Sequence, residues 1–199
     1  LFNRGDAQTL ARLAPHVPDG VRHLPDLAYG SGEDEQLDVY LPAAAGQPLP
    51  TLVWVHGGGW VAGSRKAVSH WLRILASAGY ATVAVGYSTS RRDARYPTPL
   101  RQVNKALGYL DAQAQALGLD RQRVVLGGSS AGAQISAQLA LLGSSATYAR
   151  RVGIVPHPLL QRLRGLVLLS GAFDMAGVGR NWFVDSLLWA YTGKRDYRR

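Results

Sequence analysis

The sequence contains no cysteine, which excludes disulfide bonds, cysteine nucleophiles and thiolate metal sites. No apolar run approaches the roughly 18 residues that a membrane-spanning helix needs, and the first ten residues lack the pattern of a secretory signal. Acidic residues are few, 13 against 22 lysines and arginines, so the formal net charge is +9. The compartment stays open, and a soluble cytoplasmic protein is our expectation.

The excess of positive charge is spread along the chain. Basic residues stand at 91–95, 150–151 and 162–164 and in the tail 194-KRDYRR-199, and no nucleic-acid-binding motif accompanies them. Such a distribution is typical of a solvated basic surface. We therefore expect no nucleic-acid partner.

Alternating strand and helix patterns run through the 199 residues, enough for one domain with a sizeable core. The segment 36–42 alternates apolar and polar residues, which predicts a half-buried antiparallel strand. Short continuous apolar runs predict strands covered on both faces; they lie at 52–55, 82–87, 123–127 and 165–170. Helical spacing is found at 66–78, 99–117, 131–142 and 182–191. The predicted fold class is α/β, with a mainly parallel twisted sheet flanked by helices.

A turn rich in glycine and serine joins the predicted strand at 123–127 to the next helix. Within 127-GGSSAGA-133, Gly128, Ser130 and Gly132 fit the pattern G-x-S-x-G. Between a strand and a helix, this pattern exposes the serine above the sheet edge, and its neighbours must be small to avoid a collision. The sequence therefore predicts that Ser130 is a nucleophile.

The same turn allows two other interpretations. A glycine-rich strand-to-helix turn can bind a phosphate at the helix N-terminus, but neither G-x-x-x-x-G-K-[ST] nor G-x-G-x-x-G is present. Ser129 is the other candidate hydroxyl, and its place in the pattern should turn its side chain toward the sheet. Both considerations favour Ser130 as a nucleophile.

Three consecutive glycines occur in 56-HGGGW-60. Glycine loses more conformational freedom on folding than any other residue, so a run of three is expected where backbone must approach something closely. A serine that attacks a carbonyl creates an oxyanion, which needs preplaced N–H donors. We expect these donors to be the amides of Gly58, Gly59 and Ala131. Without the serine motif, the same glycines would indicate only a tight turn.

The residues on either side of these glycines have separate interpretations. His56 could be taken for a catalytic base, but its position favours hydrogen bonding to the backbone of the loop. Trp60 is expected either to pack in the core or to form a wall of the acyl pocket.

Together these residues resemble the α/β-hydrolase fold, and within it the esterases and lipases related to hormone-sensitive lipase, with their carboxylesterase and kynurenine-formamidase-like relatives. The resemblance lies in 37-LDVYLP-42, 56-HGGGW-60, Gly63, 85-VGYS-88, 128-GSSAG-132 and 169-LSGAFD-174. It implies hydrolysis of a carboxylic ester through an acyl-enzyme, without a metal or an organic cofactor. It also implies a cap over the active site, built from about 1–26 and 176–192.

The sequence departs from the family in its triad. Such hydrolases place the acid and then the histidine after the serine. After Ser130 there is one histidine, His157, and it precedes all three carboxylates, of which Asp174 is the candidate acid. We expect the acid, the base and the last two strands to lie beyond Arg199, so that the 199-residue chain alone is inactive or weakly active.

The expected substrate is a small, mostly apolar ester. Hydrolysis of an arylformamide or a peptide at the same site is the first alternative, because the acyl-enzyme chemistry is shared. A non-catalytic hydrolase-like binding domain is the second, if the chain truly ends at Arg199; it would leave a sheet edge exposed after 165–170. Whether the protein forms a homo-oligomer stays open.

Overall fold

The structure is a computed structural model, and it describes residues 2–44, 46–90, 94–175, 177, 181–194 and 196. Its strands are β1 (Arg22–Ala28), β2 (Gln36–Leu41), β3 (Leu49–Val55), β4 (Ala81–Val85), β5 (Leu119–Ser129) and β6 (Gly165–Leu169). Its helices are α1 (Phe2–Leu13), α2 (Ser69–Ser77), α3 (Thr98–Gln113), α4 (Ala131–Ser144), α5 (Ala146–Val152) and α6 (Trp182–Thr192). Residues 176 and 178–180 of the expected cap, and Arg91, Arg92 and most of the basic tail, lie outside the described residues.

The six strands form one sheet in the order β1-β2-β4-β3-β5-β6. β4, β3, β5 and β6 are parallel, whereas β2 pairs antiparallel with both β1 and β4. The prediction of a mainly parallel sheet with an antiparallel strand at 36–42 is confirmed. Parallel strands place their carboxyl ends at one edge, so the segments that follow β3, β5 and β6 lie side by side there.

Helices cover both faces of the sheet, as the continuous apolar strands predict. Val53 and Val55 of β3 belong to the larger core cluster, with leucines of α3 and α4. Trp54, between them in sequence, faces the opposite side and packs in a smaller cluster with Leu72 and Ala76 of α2. The alternation along β3 therefore divides the core into two layers.

Several element boundaries differ from the predicted ones. The helix predicted at 66–78 is a short 3-10 helix, Arg65–Val68, followed by α2. The helix predicted at 99–117 begins at Thr98 with Pro97 in the N-cap position, and it ends at Gln113. Residues 114–118 close as a turn, and Gly118 there has φ +68°, the left-handed conformation that glycine adopts without strain.

The N-terminal segment divides between a helix and a strand. Residues 22–26 of the expected cap segment belong to β1, which pairs with β2. α1 contacts α2 and the 3-10 helix at 65–68, and His70 Nδ1 lies 2.8 Å from the Leu10 carbonyl oxygen. That 1–26 contributes to a cap over the active site stays a prediction.

β6 is the outer strand of the sheet on the β5 side, among the described residues. Its apolar side chains are partly exposed, with Leu166 at 42% and Leu169 at 51% of their accessible area. A parallel strand is normally covered on both faces, so the described residues leave part of β6 uncovered.

Candidate active site

Ser130 occupies the sharp turn between β5 and α4. It has φ +52° and ψ −117°, a conformation that costs strain in a residue other than glycine, and its side chain is exposed. Its amide donates to the Leu169 carbonyl oxygen at 2.8 Å, and its carbonyl oxygen accepts from the Gln134 amide at 3.1 Å. The turn is therefore fixed to the end of β6 and to the first turn of α4.

The small residues around Ser130 are required by backbone contacts. A Cβ atom at Gly132 would lie 2.1 Å from the Val55 carbonyl oxygen, and one at Gly128 would lie 2.4 Å from the Gly132 carbonyl carbon. Ala131 is fully buried. These contacts are the collision that the sequence pattern predicts for larger side chains.

Residues 56–60, which we call the glycine loop, follow β3 and lie directly against this turn. A Cβ atom at Gly57 would lie 3.4 Å from Ser130 Cβ and 2.9 Å from the Ser129 carbonyl oxygen. Gly58 and Gly59 have φ values of +120° and +60°. Within the described chain, no hydrogen bond is found from the amides of Gly58, Gly59 or Ala131. The structure therefore brings the loop and the serine together and leaves three N–H groups without protein acceptors.

Positive φ angles in residues other than glycine concentrate at this edge of the sheet. Trp60, Ser130 and Ser170 follow β3, β5 and β6, and their φ values are +61°, +52° and +52°. Such conformations cost about 1–3 kcal/mol each and cluster at functional sites. Among the described residues only Asp26, at the bulge in β1, shares this feature elsewhere.

The backbone of the glycine loop is anchored on both sides. The Tyr87 hydroxyl donates to the His56 carbonyl oxygen at 2.9 Å, and the Ser90 amide donates to the Trp60 carbonyl oxygen at 2.9 Å. Inside the loop, the Gly58 carbonyl oxygen accepts from the amides of Val61 and Ala62. These bonds hold the loop without using the amides of its glycines.

His56 is a buried, neutral residue of the loop. Its Nδ1 lies 2.8 Å from the Gly57 carbonyl oxygen, which can only accept, so Nδ1 carries the proton. Its ring stacks on Tyr87 at 4.3 Å. Burial lowers the pKa of His56 to about 4, with Arg65 adding to the decrease and the Gly57 bond opposing it. The prediction that His56 hydrogen-bonds the loop backbone is confirmed.

This burial of His56 predicts a pH-dependent stability. In the unfolded chain its pKa returns to about 6.5, so below that pH the unfolded state binds a proton that the folded state does not. The contribution is complete above pH 6.5 and is lost as the pH falls toward 4, by about 3 kcal/mol. In urea unfolding from pH 7 to pH 4.5, His56→Gln should lose less stability than the wild type. Equal losses would contradict the assignment.

An ion pair holds the segment after the glycine loop to β2. Asp38 is buried, and Arg65 Nε donates to its Oδ1 at 3.0 Å. Arg65 also donates to Gln36 Oε1 at 2.9 Å and pairs with Asp26. One guanidinium group therefore joins β1, β2 and the segment that follows Gly63.

Trp60, the last residue of the glycine loop, contacts both α4 and α6. Its indole Nε1 donates to Gln134 Oε1 of α4 at 3.3 Å, and its ring stacks on Tyr191 of α6 at 4.8 Å. The backbone amide of Tyr96 donates a hydrogen bond to the Tyr191 carbonyl oxygen at 2.8 Å. α6 is therefore joined to the glycine loop through aromatic contacts.

A cavity of about 690 Å³ lies beside α4. We call it the α4 pocket, and its walls include Gln134, Gln138, Leu141, Tyr148, Phe173 and Tyr191. Ser130 is not in the wall, but Gln134 lies one helical turn after it. Trp60 stands behind Gln134 and Tyr191, and so acts as packing for the wall.

The remaining sequence candidates have structural roles among the described residues. His157 Nδ1 accepts the Leu159 amide at 3.2 Å and caps a short 3-10 helix. Asp174 is exposed, and its Oδ1 accepts the Gly177 amide at 2.9 Å. No histidine hydrogen-bonds Ser130 in the described chain. That the acid and the base lie outside these 199 residues stays a prediction, as does a catalytic role for Asp174.

The described residues contain neither a metal-binding cluster nor a membrane-spanning helix. No group of three acidic, histidine or cysteine side chains is close enough to hold a metal ion. None of the described helices has both the length and the apolar character that a bilayer span requires.

Comparison with known families identifies the group to which this site belongs. Residues 37–175, which include the glycine loop, the serine turn and Asp174, match the family model described as BD-FAE. The chain belongs to the BD-FAE family. The esterase resemblance in the sequence motifs is thereby confirmed.

Two curated proteins illustrate the range of relatives of this BD-FAE chain. Kynurenine formamidase of Danio rerio is 29% identical over 153 residues, which cover 76% of this chain and 47% of the relative. Ethyl acetate hydrolase of Pseudomonas putida is 35% identical over 121 residues, which cover 59% of this chain and 37% of the relative. The BD-FAE chain thus spans about half the length of these curated relatives, or less.

The solved structures agree on the fold. Esterase B of Lactobacillus rhamnosis, in a phosphonate-inhibited form, is 25% identical with a TM-score of 0.83, over 96% of this chain and 63% of its own. The carboxylesterase EstE1 is 22% identical with a TM-score of 0.71, over 98% and 67%. The predicted α/β-hydrolase fold of the BD-FAE chain is confirmed.

The sequence motifs did not reveal the α4 pocket. Gln134 and Gln138 are the two long polar side chains of α4, four residues apart in a helix that is otherwise apolar or small. That spacing places them on one face of the helix, so the sequence could have predicted a polar patch on α4. The approach of Tyr191 had no such signal, because it depends on how α6 packs.

Proposed function

We propose that this chain carries the nucleophile and oxyanion hole of a serine hydrolase that cleaves a small, mostly apolar carboxylic ester. The observation that carries the proposal is the exposed, strained Ser130 in contact with the glycine loop, beside three amides that have no acceptor among the described residues. Ester hydrolysis needs both parts, a nucleophile and fixed donors for the developing charge.

In the proposed reaction, Ser130 Oγ attacks the acyl carbon and gives its proton to a general base. The carbonyl oxygen becomes an oxyanion, which accepts hydrogen bonds from the amides of Gly58, Gly59 and Ala131. The intermediate collapses, the alcohol leaves with a proton, and water then hydrolyses the acyl-serine by the reverse roles. We place the base and its acid outside these residues, because His56, His70 and His157 each contact backbone groups away from Ser130.

The relatives support ester hydrolysis more than any other reaction. Ethyl acetate hydrolase and esterase B are named as enzymes that act on esters. Kynurenine formamidases of Danio rerio and Salmo salar support a second candidate, hydrolysis of a formamide, at the same serine. The two reactions share the acyl-enzyme and differ in the leaving group.

A fluorophosphonate probe tests the nucleophile directly. The protein is incubated with the probe and its intact mass is measured, because only an activated serine forms the covalent adduct. We expect one adduct on the wild type and on Ser129→Ala, and none on Ser130→Ala. Ser129→Ala is the matched control, since it removes a neighbouring hydroxyl from the same turn.

The outcomes separate the proposal from its rival. A protein that labels at Ser130 and releases acid from esters is an esterase, and one that releases only formate from arylformamides is the second candidate. A folded protein whose full length is confirmed by intact mass, and which stays unlabelled, supports the non-catalytic binding domain instead.

A further inference from the structure

The α4 pocket has polar groups in an otherwise apolar wall, and they are not used by the proposed reaction. Leu141, Phe173 and Met175 supply the apolar surface, whereas Gln134 and Gln138 present amides from one face of α4. The pocket therefore has the composition of a ligand site, mostly apolar with a few placed polar groups.

The orientation of the Gln134 amide follows from its partner. The Trp60 indole Nε1 can only donate, and it donates to Gln134 Oε1 at 3.3 Å. The side-chain nitrogen Nε2 of Gln134 therefore points away from Trp60. Among the described residues, no hydrogen bond from this nitrogen is found.

Gln138 is oriented in the same manner by Tyr148. The Tyr148 hydroxyl donates to Gln138 Oε1 at 2.8 Å, and burial raises the pKa of Tyr148, so the phenol keeps its proton. The Gln138 nitrogen is left as a donor of two N–H groups; one is within reach of the Tyr191 hydroxyl, and no acceptor for the other is found among the described residues. Two amide nitrogens, four residues apart, thus face the same side of the helix.

A third polar group in the wall is the Tyr191 hydroxyl, which lies near the Gln138 amide. Tyr191 is 1% exposed, and its hydroxyl oxygen makes no hydrogen bond to the described residues. Burial raises the pKa of Tyr191 well above its usual value, and the nearby Gln138 amide partly opposes this. Because this oxygen has essentially no accessible surface, a ligand atom in the pocket does not reach it.

The one charged side chain in the described wall is also a hydrogen-bond donor. Lys194 contributes to the wall, and none of the described lining residues is Asp or Glu. The available groups are therefore hydrogen-bond donors, and an acceptor on the ligand would complement them.

We propose that the α4 pocket binds the part of the substrate that carries a second oxygen acceptor, a carbonyl or carboxylate oxygen, and that Gln138 determines this specificity. This inference rests on the proposed function, because the pocket begins one helical turn from Ser130. The substrate class is an ester whose acyl or alcohol chain bears a further carbonyl or carboxylate group.

The test measures binding rather than turnover, in the Ser130→Ala variant, which cannot form an acyl-enzyme. Dissociation constants are obtained by calorimetry for methyl 5-oxohexanoate against methyl hexanoate, and for 4-oxopentyl acetate against pentyl acetate. We expect the oxo compound to bind about five- to tenfold more tightly in one of the two series, the worth of one hydrogen bond. Monomethyl adipate tests the carboxylate, with Lys194 as the expected cause of any further gain.

Gln138→Glu in the same background identifies the donor. Glutamate keeps an oxygen for the Tyr148 hydroxyl but replaces the N–H donors by a charged oxygen. We expect the preference for the oxo compound to disappear and monomethyl adipate to bind at least tenfold more weakly. The matched control is Gln113→Glu on the exposed end of α3, which adds the same charge and should keep the preference.

Each result decides the inference separately from the proposed function. A preference for the oxo compound that Gln138→Glu removes supports the pocket, even if the wild type never labels with fluorophosphonate. Equal binding of oxo and alkyl esters in both series, or a preference that survives in a Gln138→Glu protein with wild-type circular dichroism, overturns it.

Discussion

Replacing Ser130 by alanine should lower kcat for ester hydrolysis by about 10⁶ in a protein whose serine is served by a base. The reason is that Oγ forms the bond to the acyl carbon, and no neighbouring group can substitute for it. The measurement is initial-rate hydrolysis of a short-chain ester by the purified variant and the wild type. Because the serine is exposed, the substitution should leave the unfolding midpoint nearly unchanged.

Ser129→Ala is the control for this loss, and it should retain activity within about tenfold. Its side chain lies at the end of β5, and from its position in the motif we expect it not to contact the substrate. Comparable activity in Ser130→Ala and the wild type would remove Ser130 from the reaction. In the chain alone, where the described histidines do not reach the serine, we expect weak activity and a smaller ratio.

Replacing Gly132 by alanine should destabilise the fold by about 3 kcal/mol or more. The added Cβ would lie 2.1 Å from the Val55 carbonyl oxygen and 2.5 Å from the His56 carbonyl oxygen. Both contacts are backbone atoms of β3 and its loop, which cannot move aside as a side chain can, so α4 must shift against the sheet. The measurement is the free energy of unfolding in urea.

Gly5→Ala is the matched substitution at an open position. A Cβ atom there would meet nothing within 4 Å, and Gly5 lies inside α1. Alanine is the better helix former by about 0.8–1 kcal/mol, so this variant should be slightly more stable. A Gly132→Ala protein as stable as Gly5→Ala would show that strand and helix are not in the close contact described here.

The sequence predicted those parts of the fold whose signals are local. Continuous apolar runs predicted the four parallel strands, because a strand that is covered on both faces has apolar side chains on both of them. The position of Ser130 followed from a strand, small residues and a helix in immediate succession. That the glycine loop lies beside it followed from parallel strands ending at one edge of the sheet.

The elements that escaped prediction have weak or interrupted patterns. β1 contains Pro25, and a bulge between Leu24 and Leu27 breaks its alternation, so its side chains show no clear buried face. α5 had usable signals, a capping Ser145 and a left-handed Gly153, but only seven residues between them. Short elements of this kind are decided by what they pack against.

The side chains around the α4 pocket show the limit of local reasoning most clearly. Trp60, Gln134 and Tyr191 are far apart in sequence and meet only because α6 packs against the glycine loop and α4. No spacing rule relates a loop residue to a helix that follows another strand. Because Trp60 stacks on Tyr191, we expect substitutions in α6 to shift the position of the glycine loop.

The crystal structure of the protein after reaction with a fluorophosphonate tests the central claim most directly. We predict a phosphorus atom bonded to Ser130 Oγ, with its oxygen about 2.7–3.1 Å from the amide nitrogen of Ala131 and from that of Gly58 or Gly59. A phosphonyl oxygen that points into solvent, or an adduct on any other residue, would contradict the account.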